Sequence, residues 1–113
     1  MEPRITPEPA EKLFWSLVEP MLVDPAITRS TMMGLPCMRV DDKFFAALGR
    51  DQRLLVKLPA ARVAELVASG AGQHFAPNGR VFREWVAFAE PDEPAWHLYL
   101  TEARAFVGSA ARA

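Results

Sequence analysis

The chain has 113 residues, the size of one ordinary domain, and its formal net charge is −1. Half of the residues are apolar and 24% are charged, which excludes a disordered chain and favours a globular domain with its own core. The near-neutral charge excludes a global attraction for nucleic acid or anionic lipid, so binding of either would need a local basic patch.

The cysteine content and the start of the sequence bear on location. Cys37 is the single cysteine, so an internal disulfide is excluded, and Met1 to Arg4 do not resemble a secretory signal. The apolar runs are only a few residues long, far short of the ~20 residues that cross a bilayer. We therefore expect a cytoplasmic protein with no membrane partner.

The first predicted element is a helix that begins at Thr6 and Pro7 and ends near Glu19. Thr6 is a good capping residue and Pro7 suits a first helical turn. Pro20 ends or kinks the helix, because proline lacks a backbone donor and clashes with the preceding turn. Apolar residues recur at helical spacing at Leu13, Phe14, Leu17, Val18 and Met21.

A cluster of strands is predicted next. Residues 27–33 favour extended backbone and make a short strand the expectation there. Residues 37–40 and 44–48 flank a tight turn at Asp41-Asp42-Lys43, which is a hairpin pattern. Residues 53–58 then alternate as a further strand, with Leu54 and Val56 facing one way and Leu55 and Lys57 the other.

The second half of the chain predicts two helices around one or two strands. A helix opens at Pro59 and ends at Gly70, residues 71–78 form a loop, and residues 83–89 form a strand. The last helix starts in residues 91–94 and ends at Gly108, with residues 109–113 frayed.

These elements predict an α+β two-layer sandwich in the order α-β(3)-α-β(2)-α. The sheet is expected to be mainly antiparallel, with the helices on one face. A single domain spans residues 1–113, with an ordered core over about 6–108.

Several short motifs follow one another in this order. Met32-Met33-Gly34 matches a Met-Phe-Gly turn, and Lys43-Phe44-Phe45-Ala46 matches a strand of the pattern K-hydrophobic-F-A. Leu55-Val56-Lys57-Leu58 matches the next strand, and Phe75-Ala76-Pro77-Asn78-Gly79-Arg80 followed by Glu84-Trp85-Val86 matches F-x-P-x-G-R … E-W-V. With these motifs, residues 31–107 resemble the TfoX N-terminal-domain and YjbR-like (MmcQ-type) superfamily.

The resemblance implies a secretion-chaperone-like sandwich in a stand-alone, single-domain form. The chain departs from the pattern at Met33, where an aromatic residue is usual, and at Leu35-Pro36-Cys37, which replaces a glycine-rich continuation. A role in competence does not carry over, since nothing in this sequence corresponds to the separate C-terminal domain of full-length TfoX-type regulators.

No catalytic, cofactor or metal site is predicted. Cys37 lacks an assigned base and is expected to be a buried structural residue. His74 and His97 are too few and too far apart in sequence to form a zinc site with it. Asp41 and Asp42 are expected to shape the hairpin turn rather than to act as an acid/base pair.

Two kinds of binding surface are predicted instead. The first is an apolar contact surface for a protein partner or a homodimer, formed by Met32, Met33, Leu35 and Phe44. The main functional expectation is therefore a non-enzymatic interaction or regulatory module. The alternative is a nucleic-acid-binding regulator that uses a basic sheet face formed by Arg39, Lys43, Lys57, Arg80 and Arg83.

Overall fold

The structure is a computed structural model that describes residues 9–32 and 34–112. Helix α1 spans Pro9–Val18 and continues into a 3-10 helix at Glu19–Val23. Four strands follow, namely β1 (Ile27–Met32), β2 (Leu35–Val40), β3 (Lys43–Leu48) and β4 (Leu54–Lys57). The rest comprises α2 (Ala60–Ala68), β5 (Gln73–His74), a 3-10 turn (Pro77–Gly79), β6 (Trp85–Phe88) and α3 (Glu93–Arg112).

The six strands form one antiparallel sheet in the spatial order β1-β2-β3-β4-β6-β5. Helix α3 packs against β2, β3, β4 and α1, and α2 packs against β5 and β6. The main hydrophobic core joins residues of all three helices to one set of alternating strand residues. The predicted α+β two-layer sandwich, with a mainly antiparallel sheet and its helices on one side, is confirmed.

The β2–β3 hairpin is closed by the predicted aspartate pair. Asp41 and Asp42 have φ values of 52° and 67°, which is the left-handed conformation that two-residue hairpin turns require. Aspartate tolerates this conformation better than most residues with a side chain, because its carboxylate can bond nearby backbone. Both side chains are exposed, so the pair shapes the turn, as predicted.

A β-bulge in β3 resets which residues face the helices. Arg39 pairs with Phe44 and Met38 pairs with Ala46, so Phe45 is the extra residue on its strand. Phe45 and Ala46 both belong to the core beneath the helices, whereas Phe44 packs on the opposite side. Phe44 and Phe45 therefore point to opposite faces of the sheet.

Two elements differ from the prediction. Residues 27–32 form a full strand, so four strands rather than three precede α2. Gln73 and His74 were predicted as loop but pair with Ala87 and Val86, because the turn after α2 lays this short segment along β6. The predicted cap at Thr6 and Pro7 lies outside the described residues.

Helix α3 also runs past its predicted end at Gly108, as far as Arg112. Gly108 is buried beside the Val40 side chain inside the helix, where a Cβ would make only ordinary contact, so this glycine does not act as a helix stop. The residues after it include Ala110 and Ala111, which are strong helix formers. Among the described helices, none is both long enough and apolar enough to cross a bilayer.

Candidate functional site

The side of the sheet that faces away from the helices, here called the helix-free face, carries its own small apolar cluster. Strand pairing places one residue from each strand in a single row across this face, in the order Ser30, Cys37, Ala47, Leu55, Ala87 and Gln73. The four apolar members of the row are at most 2% exposed. Because no described helix packs here, other side chains must bury them.

Three aromatic residues pack against this row, namely Phe44, Phe75 and Trp85. Each is only half-buried, so part of each ring remains at the surface while the rest shields the small residues below. Phe44 lies on β3, Trp85 begins β6, and Phe75 follows β5. The helix-free face is therefore partly roofed by aromatic side chains, with apolar surface still open between them.

An apolar groove of about 450 Å³ lies at the end of this face near the β3–β4 turn. This apolar groove is bounded by Leu35, Leu55, Phe75 and Pro77, with charged side chains on its rim. The rim includes Arg50, Asp51 and Arg53.

The rim of the apolar groove is held in place by polar contacts. The Arg53 Nε donates to an Asp51 carboxylate oxygen at 2.6 Å, and Arg53 Nη1 donates to the Gln73 amide oxygen at 2.9 Å. These two bonds tie the β3–β4 turn to the edge strand β5. The groove therefore has an apolar floor and a rim that carries both signs of charge.

A second groove of about 480 Å³ lies where β4 ends and β6 begins. This basic groove is lined by Lys57, Arg80, Val81, Phe82, Arg83, Glu84 and Trp85. Glu84 is the one carboxylate among these lining residues, and its distance to the Lys57 Nζ is 4.0 Å. The Arg80 guanidinium lies over the Phe82 ring, 5.3 Å from its centroid. The groove therefore combines surplus positive charge with aromatic surface.

Arg39 lies on β2, between β1 and β3, and its side chain is on the helix-free face. Its Nη2 donates to the Ser30 hydroxyl at 2.6 Å, and its guanidinium lies 5.2 Å from the centroid of Phe44. Its Nε is buried and finds no acceptor among the described residues. No described carboxylate forms an ion pair with it, so its full charge contributes to the potential of the helix-free face.

The structure separates the residues predicted for the two surfaces. Leu35 and Phe44 lie on the helix-free face, as do Arg39 and Lys57, and Arg80 and Arg83 line the basic groove. Lys43 pairs with the core residue Val40, so it belongs to the helix side and does not join the other predicted cations. This part of the predicted basic face is wrong, because alternation along β2 points Val40, and with it the paired Lys43, away from Arg39.

Two predicted contact residues lie at the margin of what the structure describes. Met33 is outside the described residues, and of Met32 only the backbone, at the end of β1, is described. The predicted apolar surface is therefore represented by Leu35 and Phe44. Leu35 contributes to the apolar groove and Phe44 to the aromatic roof, so the two residues lie in different parts of the helix-free face.

Cys37 is buried in the centre of the row, as predicted. Burial raises the pKa of its thiol, and the nearby Arg39 charge and the Ser30 hydroxyl offset this only in part. The thiol is therefore protonated at neutral pH and is a poor nucleophile. His74 is exposed at the rim of the apolar groove and His97 is exposed on α3.

No group of three or more His, Cys, Asp or Glu side chains within the described ranges is arranged to hold a metal ion.

Comparison with known protein families, with characterised proteins and with solved structures gave no match. The resemblance to the TfoX N-terminal-domain and YjbR-like superfamily therefore stays a prediction.

Sequence reasoning did not single out Phe75, Phe82 or Trp85 as site residues. For Trp85 a signal was present, because alternation along β6 places it on the same side as Ala87, away from Val86 and Phe88. For Phe75 and Phe82 the sequence contains no such signal. Their ring centroids lie 5.5 Å apart only because of the path of the connection between β5 and β6.

Proposed function

We propose that this chain is a non-enzymatic interaction module that binds a protein partner on the helix-free face. The observation that carries the proposal is the apolar groove, whose Leu35, Leu55 and Phe75 are surrounded by a rim of both charge signs. Concave apolar surface with a few polar groups at its edge is the usual form of a binding site. The resemblance of residues 31–107 to TfoX N-terminal-domain and YjbR-like proteins supports the same reading.

A second copy of the chain is the partner that suits this groove best. In a two-fold dimer each surface meets its own copy, and a rim that contains both Arg50 and Asp51 can then set unlike charges against each other. The shallow apolar floor supplies the surface that association removes from water. A cytoplasmic location for this assembly is part of the proposal.

Sedimentation velocity over a concentration series, from low to high micromolar, tests the proposal. The wild-type chain is expected to shift from monomer to dimer, and Phe75→Lys is expected to weaken association by at least about tenfold, because a buried charge costs several kcal/mol. Leu98→Lys is the matched control, since Leu98 is 50% exposed on α3, away from the groove.

Two results would count against the homodimer. One is a wild-type chain that remains monomeric throughout the series. The other is equal weakening by Phe75→Lys and Leu98→Lys, which would move the interface to the helices. Circular dichroism of each variant verifies that the fold is retained.

A further inference from the structure

The two edges of the sheet differ in how well they are protected against pairing with another chain. An edge strand has a row of backbone groups with no neighbouring strand, and these groups can accept a further strand. β5 forms one edge and has only two residues, Gln73–His74, which is too short to template a new strand. β1 forms the other edge and has six residues, Ile27–Met32. Only the β5 edge is therefore protected by its length.

The features that usually block an edge are weak in β1. Its sequence is ITRSTM, without proline, and its register with β2 runs without a shift along the whole strand. Thr28, Arg29 and Thr31 are exposed. The one charge in the strand is on Arg29, whose guanidinium lies 5.2 Å from the centroid of the Trp15 ring on α1. This charge therefore lies over the helix side of the sheet rather than along its open edge.

The backbone groups of Arg29 and Thr31 face the open edge. The Asp41 N–H donates to the Ala26 carbonyl at 2.9 Å, which makes these two residues a hydrogen-bonded pair at the end of the β1–β2 ladder. Bonding alternates along an antiparallel ladder, so Arg29 and Thr31, at odd steps from Ala26, point away from β2. The Ile27 N–H agrees with this alternation, since it donates back to the turn before the strand rather than to β2.

From these observations we infer that β1 pairs with β1 of a second copy of the chain, antiparallel and across a two-fold axis at Ser30. Arg29 of each copy then exchanges its outward backbone bonds with Thr31 of the other copy. Ser30 meets Ser30 of the second copy, and Thr28 meets Met32. A two-fold axis perpendicular to the sheet keeps both helix layers on one side and joins the two sheets into one. Addition of a strand at an exposed edge is a general mode of protein recognition.

The charge of Arg29 selects this register. A two-fold axis at Arg29 would place the two arginines directly opposite each other, and like charges in that position are destabilising. An axis at Ser30 sets Arg29 opposite the uncharged Thr31 instead, and it still satisfies the outward backbone groups of both residues. The contact uses the sheet edge, so it goes beyond the proposed association through the apolar groove and leaves that groove open.

Disulfide crosslinking tests both the pairing and its register. Directly opposite residues in a non-hydrogen-bonded antiparallel pair have Cα atoms about 4.5 Å apart, which is within the range of a disulfide. The double variant S30C/C37A is therefore expected to form a disulfide-linked dimer in most chains, under mild oxidation at high micromolar concentration. The Cys37→Ala change removes the native thiol, which lies opposite Ser30 within the same chain.

The double variant T28C/C37A is the matched control. Thr28 lies on the same strand and the same face as Ser30 and is more exposed, so random collisions would favour its crosslinking. Because Thr28 lies opposite Met32 in the inferred register, the two Thr28 Cα atoms are about 13 Å apart, too far for a disulfide. This variant is expected to run as a single chain on a non-reducing gel. Adding Phe75→Lys to S30C/C37A is expected to leave its crosslinking unchanged, because the edge contact does not use the apolar groove.

Amide hydrogen exchange of the unmodified chain provides an independent measurement. The Arg29 and Thr31 amides are expected to exchange at least about fivefold more slowly at high than at low protein concentration, because only the second copy accepts their bonds. Thr31→Pro removes an outward donor and no bond to β2, so the fold is retained. In this variant the slowing at Arg29 is expected to disappear.

Four outcomes would overturn the inference. The first two are equal crosslinking of S30C/C37A and T28C/C37A, and no crosslinking of either. The third is exchange of the Arg29 and Thr31 amides that does not depend on concentration, which needs no variant to fold. The fourth is loss of S30C/C37A crosslinking when Phe75→Lys is added, because the association would then belong to the apolar groove.

Discussion

Phe44 and Phe45 are neighbours on β3 but have different roles, because successive strand residues point to opposite faces of the sheet. Phe45 is fully buried beneath α3, whereas Phe44 is half-buried on the opposite face under the Arg39 guanidinium. A core phenylalanine contributes through its removal from water and through close packing, and a half-exposed one contributes much less of each. The two positions therefore separate stability from surface chemistry.

Replacing these two phenylalanines is expected to have unequal effects. Phe45→Ala should lower the free energy of unfolding by about 3–5 kcal/mol, because it leaves a cavity in the core. Phe44→Ala should lower it by only about 1 kcal/mol, because part of the ring is already in contact with water and its loss opens no enclosed cavity. Urea denaturation measures both changes.

Phe45→Leu provides a milder check if Phe45→Ala fails to fold, with an expected loss below about 1.5 kcal/mol. Equal losses from Phe44→Ala and Phe45→Ala would contradict the assignment of the two rings to opposite faces.

At the scale of elements, glycines show how closely the segments approach one another. A Cβ at Gly72 would lie 2.6 Å from the Val86 Cγ2, closer than real Cβ atoms approach, and 3.2 Å from the Phe88 Cε1, which is a tight contact. A Cβ at Gly108 would lie 3.6 Å from the Val40 Cγ2, which is ordinary contact. The turn after α2 thus depends on glycine, whereas α3 does not.

The two glycine positions are expected to respond in opposite directions. Gly72→Ala should destabilise the chain by about 1–3 kcal/mol, because β6 must shift away from the turn. Gly108→Ala should stabilise it by about 0.5–1 kcal/mol, because alanine is the better helix former inside a helix. Thermal melts of the two variants beside the wild type provide the measurement, and a stabilised Gly72→Ala would show that the turn packs more loosely than described.

The elements were largely predictable from the sequence, and their boundaries less so. The sequence predicts the strand at residues 53–58 from its alternating pattern. It also predicts the turn at residues 41–42 from its two aspartates. Both features depend on residues that are adjacent in the sequence. The pairing of Gln73 with Ala87 depends on where the chain returns after α2, which is a tertiary effect. Gly108 was taken for a helix stop because local propensity cannot reveal that Val40 packs beside it.

The candidate site was predictable only in part, for a similar reason. The sequence singled out Leu35, Arg80 and Arg83, all of which line grooves on one side of the molecule. It also grouped Lys43 with the basic residues, although the hairpin pairs Lys43 with Val40, which points away from Arg39. Phe82 could not be chosen in advance, because its exposure follows from the path of a connection without regular periodicity.

At the scale of the whole molecule, the two sides of the sandwich differ in how much apolar surface they bury and in how much they leave open. The helix side holds the large core, including Trp96, Phe14 and Phe45, and Arg62 and Arg104 on its surface are ion-paired. The helix-free face has a thin apolar layer, half-buried aromatic rings and two open grooves. Stability therefore rests mainly on one side, which leaves the other side free to bind.

Backbone amide chemical shifts, recorded as the concentration of the wild-type chain is raised, test the central claim that the helix-free face is the binding surface. We expect the shifts to concentrate around Leu35, Leu55 and Phe75, with little change along α1 and α3. Shifts confined to the helices, or none at any concentration, would contradict it.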